Sequence, residues 1–323
     1  MFAWLRIAAV LARARALHPP SDPRCRVEKD ARAGNGWLVD RFLPVKPVGA
    51  SLILLHGWTL RGKDDLRLQA FARSLAIAGV ECLVPRVPGL ATLGFVPDDV
   101  AGLRALLGEC SSSPGIMGFS FGGSYALLAA SEHPRKPRLV VSVSGYGDLP
   151  ATYRHAMAWG RRLPEHPAAN EAWVYQKLVL AWRLREVIPL TTEVQQELRT
   201  LLEAFCEGTS TEPGWRFCQR ALGDKDWEAE DERHQDPAAL SSLSLVEHPP
   251  RLGHPVVVLH DKGDEAVSPS EAQVVAEAVR RGSPDVRIDV MVTELLNHVT
   301  PSLTFRPWEI ARLLCLLSPL VEP

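Results

Sequence analysis

The stretch Ile116-Met117-Gly118-Phe119-Ser120-Phe121-Gly122-Gly123-Ser124-Tyr125-Ala126 decides how this chain is read, because an apolar run enters it and an Ala/Leu-rich run leaves it. A strand that turns sharply into a helix crowds backbone against backbone two residues before the turn and two after. Side chains are excluded at both places, and Gly118 and Gly122 occupy them. Such a turn lifts the Ser120 hydroxyl clear of the sheet and sets the N–H groups of a helix N-terminus beneath any oxyanion that forms there. The pentapeptide alone is equally compatible with a Gly-rich turn carrying an ordinary serine. The flanking chain has to decide.

Outward from this turn the pattern alternates. Residues 50–55 are apolar on both faces, the mark of a strand buried inside a parallel sheet. A helical pattern follows at 65–78, then a strand at 80–84, a loop shaped by Pro85, Pro88 and Gly89, and a helix at 98–107. The strand 115–119, a helix at 122–131 and a strand at 139–143 continue the series. Strands and helices taking turns argue for a doubly wound, mostly parallel sheet with helices on both faces. Sheets of this kind bind ligands beyond the carboxyl ends of their strands. Ahead of the series, short runs at 24–28 and 37–43 flank Gly34-Asn35-Gly36, the signature of an antiparallel hairpin.

From about 149 to 249 the period changes to helical throughout, with Trp159, Trp173, Trp182, Trp215 and Trp227 set among charged residues. This is an all-helical insertion, its tryptophans expected to form a small core of their own, with one or two left to face the cleft. The sheet resumes with a strand at 256–259, a helix at 270–281, a strand at 286–292 and a closing helix at 308–317. The expected division is a first core part at 1–149, the helical insertion at 150–249 and a second core part at 250–323.

Composition bounds the function. A content of 46% hydrophobic and 23% charged residues fits a soluble globular protein, and 323 residues suit one α/β domain with an insertion. A formal net charge of -2 without long single-sign runs leaves no electrostatic footprint for nucleic acid. Cys25, Cys82, Cys110, Cys206, Cys218 and Cys315 show neither a C-x-x-C pair nor metal-ligand spacing with histidine. They read as reduced, mostly buried thiols of a cytoplasmic protein. In residues 1–17 Arg6 interrupts the apolar run and Arg13 and Arg15 come after it, the wrong order for a secretory signal. A surface helix packed on the core is expected, with an interfacial membrane helix as the alternative. No other stretch is apolar enough to span a bilayer. Oligomeric state leaves no mark in the sequence.

One motif misleads. Gly57-Trp58-Thr59-Leu60-Arg61-Gly62-Lys63-Asp64 follows a strand, precedes a helix and nearly spells the phosphate-binding loop G-x-x-x-x-G-K-S/T. Its last position is aspartate, which would face the phosphates with a carboxylate where a magnesium-binding hydroxyl is needed. Nucleotide binding is not expected.

A serine hydroxyl becomes a nucleophile when a base lies within hydrogen-bond reach and a carboxylate orients that base. The two late strands supply candidates at their carboxyl ends: His260-Asp261-Lys262-Gly263-Asp264 after the first, and Thr293-Glu294-Leu295-Leu296-Asn297-His298 after the second. The order Ser120, Asp264, His298 is that of the nucleophile elbow rather than of other triad folds. His298 alone among 10 histidines follows the last strand. Asp148, after the strand at 139–143, and Asp261 stand as alternative acids, whereas His56 and His260 read as strand-end residues that hold loops.

With these residues the chain resembles the α/β-hydrolase superfamily over nearly its whole length. The elbow matches Gly118-Phe119-Ser120-Phe121-Gly122, an H-G-x oxyanion segment matches His56-Gly57-Trp58, and an acid loop H-G-x-x-D-x-x-V-P resembles 260–269. Two departures occur: Asp261 replaces the usual glycine, and Ser268 separates Val267 from Pro269. The resemblance implies Ser120 as nucleophile, His298 as base, Asp264 as acid, and the Trp58 and Phe121 amides as oxyanion hole. It implies an esterase-like enzyme acting on a small-molecule ester without metal or organic cofactor. Thioesterase, amidase, acyltransferase or C–C hydrolase activity on the same residues, or a non-catalytic ligand-binding member, are the alternatives.

Overall fold

The computed structural model describes residues 3–14, 22–110, 113–134, 137–166, 168, 170–188, 190–205, 211–222, 225–298, 300–301 and 306–322. Cys206 and parts of the expected 1–17 helix and 111–114 connection lie outside them.

The amino-terminal helix α1 (Ala3–Ala14) buries Ile7, Val10 and Ala14, a stripe at helical spacing, against the core. The hairpin follows as β1 (Cys25–Arg32) and β2 (Leu38–Pro44), antiparallel to one another. Its turn places Gly36 at φ +83, and the Asn35 carboxamide oxygen accepts the Trp37 amide at 3.0 Å. Then come β3 (Ser51–Leu55), α2 (Leu66–Ile77), β4 (Glu81–Pro85), α3 (Pro88–Ala91), α4 (Asp98–Glu109), β5 (Gly115–Phe119), α5 (Phe121–Ala130) and β6 (Val140–Val143).

Among the described residues between β6 and the next strand there are helices and no strand: α6 (Leu149–Gly160), α7 (Glu171–Arg183), α8 (Thr192–Ala204), α9 (Thr211–Phe217) with a π-helical turn to Leu222, α10 (Trp227–His234) and α11 (Pro237–Ser242). The side chains of Asp148, Asn170, Thr191, Asp226 and Asp236 cap helices of this segment by accepting first-turn amides. The chain closes with β7 (Val256–Asp261), α12 (Glu271–Gly282), β8 (Ile288–Thr293), the two-residue pair β9 (Leu296–Asn297) and β10 (Thr300–Pro301), and α13 (Pro307–Leu317).

The main sheet has eight strands in the order β1-β2-β4-β3-β5-β6-β7-β8, antiparallel from β1 to β4 and parallel from there on. Continuous apolar strands serve both faces. Ile53 and Leu55 join the layer shared with α4, α5, α12 and the helices after β6, whereas Leu52 and Leu54 join the layer under α1, α2 and α13. Strand order reverses between β3 and β5, and this switch point is where an open sheet of this type leaves a crevice.

The phosphate-loop lookalike proves to be a scaffold. Gly62–Asp64 is a single 3-10 turn, and the Lys63 ammonium is buried and bonded to Asp40 and Asp30, each at 2.9 Å. It ties this turn to the hairpin. The expected loop at 85–89 is instead tightened into α3, because Pro88 supplies the φ of a first helical residue. The Asp99 carboxylate, from the start of α4, accepts the Gly89 amide at 2.8 Å.

Candidate active site

Ser120 stands between β5 and α5 at φ 51, ψ -129, a conformation that a residue with a side chain adopts only where its surroundings impose it. The imposition comes from the flanking glycines. A Cβ on Gly118 would lie 2.0 Å from the Gly122 carbonyl oxygen, and one on Gly122 would lie 2.4 Å from the His56 carbonyl oxygen. Gly57 approaches as closely from β3, where a Cβ would meet the Ser120 Cβ at 2.9 Å.

Trp58, in the loop after β3, and Phe121, the first residue of α5, line the same cavity as the serine. Their side chains stack at 4.5 Å with an interplanar angle of 5°, which links the loop after β3 to the first turn of α5. The Trp58 carbonyl accepts the Tyr175 hydroxyl of α7 at 2.8 Å. The Arg183 guanidinium lies over the Trp58 ring at 5.3 Å and donates to the Leu93 carbonyl and the Asp231 carboxylate, each at 2.8 Å. Tyr175 and Arg183 sit more than a hundred residues from the loop they hold, and no local sequence signal marks them.

Across the crevice the His298 Nδ1 meets the Asp264 Oδ2 at 2.6 Å. Asp264 is buried, and its other oxygen accepts the Ala266 and Val267 amides at 3.0 and 2.9 Å. Burial works against the charged form, but the hydrogen bond and charge of His298 and the Val267 amide prevail and hold the carboxyl below the usual range. With Nδ1 committed to Asp264, Nε2 is the basic nitrogen of His298.

The other candidate acids accept backbone amides. Asp148 caps α6 through the Ala151 amide at 2.9 Å. Asp261 reaches the backbone of His298, accepting its amide at 2.8 Å. The Ser144 hydroxyl donates to the His298 carbonyl at 2.8 Å. His298 itself has φ 51, so this pair of bonds grips both sides of a left-handed residue. The acid-loop departure noted at Asp261 therefore has a structural use. His56 and His260 are loop-holding residues, as expected: His56 accepts the Val87 amide at 3.0 Å, and His260 Nε2 lies 3.0 Å from the Val267 carbonyl. Burial pushes the His56 imidazole down to about 4, so it is neutral.

Ser120, Trp58, Phe121, Asp264 and His298 line one cavity of about 1040 Å³. Trp159, Tyr175 and Phe205 from the helices after β6 line it too, whereas Trp173 and Trp227 are buried within those helices. No group of three His, Cys, Asp or Glu side chains able to hold a metal occurs among the described residues. No helix among them is long and apolar enough to cross a membrane.

An open, mostly parallel sheet that delivers a positive-φ serine at the end of its central strand is the architecture of an α/β hydrolase. The chain belongs to the Alpha/beta hydrolase family, whose model matches residues 52–307. No curated protein matches the sequence at a significant level. Among solved structures, the chain is similar to the Pyrococcus furiosus esterase PF2001, with a TM-score of 0.54, 15% identity and coverage of 91% of each chain. It is similar to the proline iminopeptidase of Mycobacterium smegmatis, with a TM-score of 0.53, 15% identity and coverage of 92% of this chain and 97% of the other. A third is 2,6-dihydroxy-pseudo-oxynicotine hydrolase, with a TM-score of 0.52, 16% identity and coverage of 93% and 68%. At these identities the likeness is one of fold.

Proposed function

We propose that this protein is a serine hydrolase of carboxylic esters in which Ser120 is the nucleophile, His298 the general base and Asp264 the orienting acid. The observation that carries the reading is the 2.6 Å contact between the Asp264 carboxylate and His298 Nδ1, on the same cavity as a serine held at a strained strand–helix turn. His298 Nε2 takes the Ser120 proton as the oxygen attacks the ester carbonyl. The Trp58 and Phe121 amides receive the oxyanion. The tetrahedral species collapses to an acyl-enzyme as the alcohol leaves with the proton from His298, and a water activated by the same nitrogen releases the acid. The segment 150–249 acts as a cap over Ser120, contributing Trp159, Tyr175 and Phe205 to the cavity wall. A cytoplasmic location fits the described cysteines, all of which are free thiols.

The test is labelling with a fluorophosphonate, located by peptide mass spectrometry. Modification confined to Ser120 and lost in His298→Ala is the expected result, and Ser120→Ala should abolish ester turnover with the melting temperature retained. A folded protein that turns over esters unchanged as Ser120→Ala would sink the assignment.

A further inference from the structure

The cavity at Ser120 continues past the serine to the face of the sheet opposite the helices of 150–249. There its walls come from three helices: Leu11 and Ala14 of α1, Leu68 and Phe71 of α2, and Leu313 and Leu317 of α13. The strand residues Met117, Val143 and Leu259 form its floor. All of these belong to the apolar layer on that side of the sheet, and none carries a charged or hydrogen-bonding side-chain group apart from thioether sulfur. The charged residues of the α2 region that also line the cavity, Asp65 and Arg67, are paired with each other at 2.7 Å.

Protein interiors pack to the density of organic crystals. A space left between apolar side chains lowers stability in proportion to its volume, and such spaces stay dry and take up apolar molecules. This one opens on Ser120, so a ligand group lying in it can be joined to a carbonyl held at the serine. We propose that the part of the cavity between α1, α2 and α13 is the subsite for an alkyl chain of the substrate, and that the amino-terminal helix is one of its walls. The side of the helices after β6, by contrast, presents the rings of Tyr153, Trp159, Tyr175 and Phe205, and its charged pair Arg183 and Asp231 is closed on itself at 2.8 Å. The inference rests on the hydrolase reading for the identity of the ligand, but the subsite can be tested without turnover.

The probe is a series of free alkyl carboxylates, binding to which is measured by calorimetry on the full chain. Burial of each methylene strengthens binding about fourfold, so dodecanoate should bind at least about a hundredfold more tightly than hexanoate. Ala14→Phe, which fills the space, should cut that ratio at least about tenfold. Leu313→Ala, which lengthens it, should raise the ratio of hexadecanoate to dodecanoate binding, and it decides the matter should Ala14→Phe fail to fold. A chain-length ratio near one in the unaltered protein, or ratios unmoved by both substitutions, overturns the proposal. Methyl dodecanoate and dodecyl acetate, compared as substrates, distinguish a chain on the acyl side from one on the alcohol side. Chain binding that is intact in a protein without any ester turnover would remove the hydrolase reading and leave the subsite standing.

Discussion

Two aspartates three residues apart act on one histidine in different ways. Asp264 holds the imidazole ring, and Asp261 holds the backbone amide of the same residue. In the proposed mechanism only the first sets the tautomer and opposes the charge that develops on the ring. Asp264→Asn is therefore expected to lower kcat by about 10,000-fold, the loss typical when the orienting acid becomes an amide. Asp261→Asn keeps one acceptor for the His298 amide and loses the other, which takes the Gly263 amide at 3.0 Å, so about tenfold or less is expected. Steady-state kinetics on the two purified variants checks this, and equal losses would show that the two roles cannot be separated. Strand-end position and the resemblance of the acid loop nominated Asp264 and left Asp261 and Asp148 open. In the structure Asp264 is the one bonded to the His298 ring, whereas Asp148 caps the Ala151 amide.

At the scale of elements, the short helix α3 shows where local reading runs out. Pro88 and Gly89 signal a turn, but the carboxylate that completes it belongs to Asp99, on α4. Burial raises Asp99 from 3.8 to about 6, with the Gly89 amide acting in the opposite direction. A raised acid favours the folded state while protonated, so its contribution is complete below pH 3.8 and is lost as pH rises through about 6. Asp99→Asn, which keeps a neutral acceptor for Gly89, should flatten the dependence of urea-unfolding stability on pH between those values. A slope equal to that of the unaltered protein would place the buried proton elsewhere. Between elements, Tyr175 of α7 bonds the Trp58 carbonyl, so a helix after β6 steadies the loop whose Trp58 amide is the proposed oxyanion donor. Tyr175→Phe removes a neutral hydrogen bond worth about 1 kcal/mol. Its expected cost is about two- to tenfold in kcat with little change in KM, and a change confined to KM would mean that the hydroxyl serves substrate binding instead.

Across the whole molecule, helices on the two faces of one sheet have different duties. The helices after β6 share an apolar layer with α4, α5 and α12, and α1 closes the opposite layer with α2 and α13. The sequence pointed to a packed amino-terminal helix through its interrupted apolar run, and Ile7 and Val10 are fully covered. Ile7→Ala should destabilise the protein by about 2–5 kcal/mol, as large-to-small changes in a close-packed core do. Chemical denaturation measures it. A loss under about 0.5 kcal/mol, ordinary for a surface position, would mean that α1 is an appendage and contributes little to the fold.

Periodicity determined most of this fold before any coordinate. Short apolar runs bounded by turn signals read as buried strands, alternating helices cover them, and glycines around Ser120 permit one sharp turn. Chain order then carried Ser120, Asp264 and His298 to the carboxyl ends of their strands. The tertiary structure decided everything that depends on partners distant in the chain. Lys63 is claimed by Asp40 and Asp30 instead of a phosphate, Asp261 and Ser144 grip the His298 backbone, and Tyr175 and Arg183 fasten the Trp58 loop. A hydrogen bond or a cavity wall has no period along the chain. Its geometry exists only once the strands have paired and the helices have closed over them.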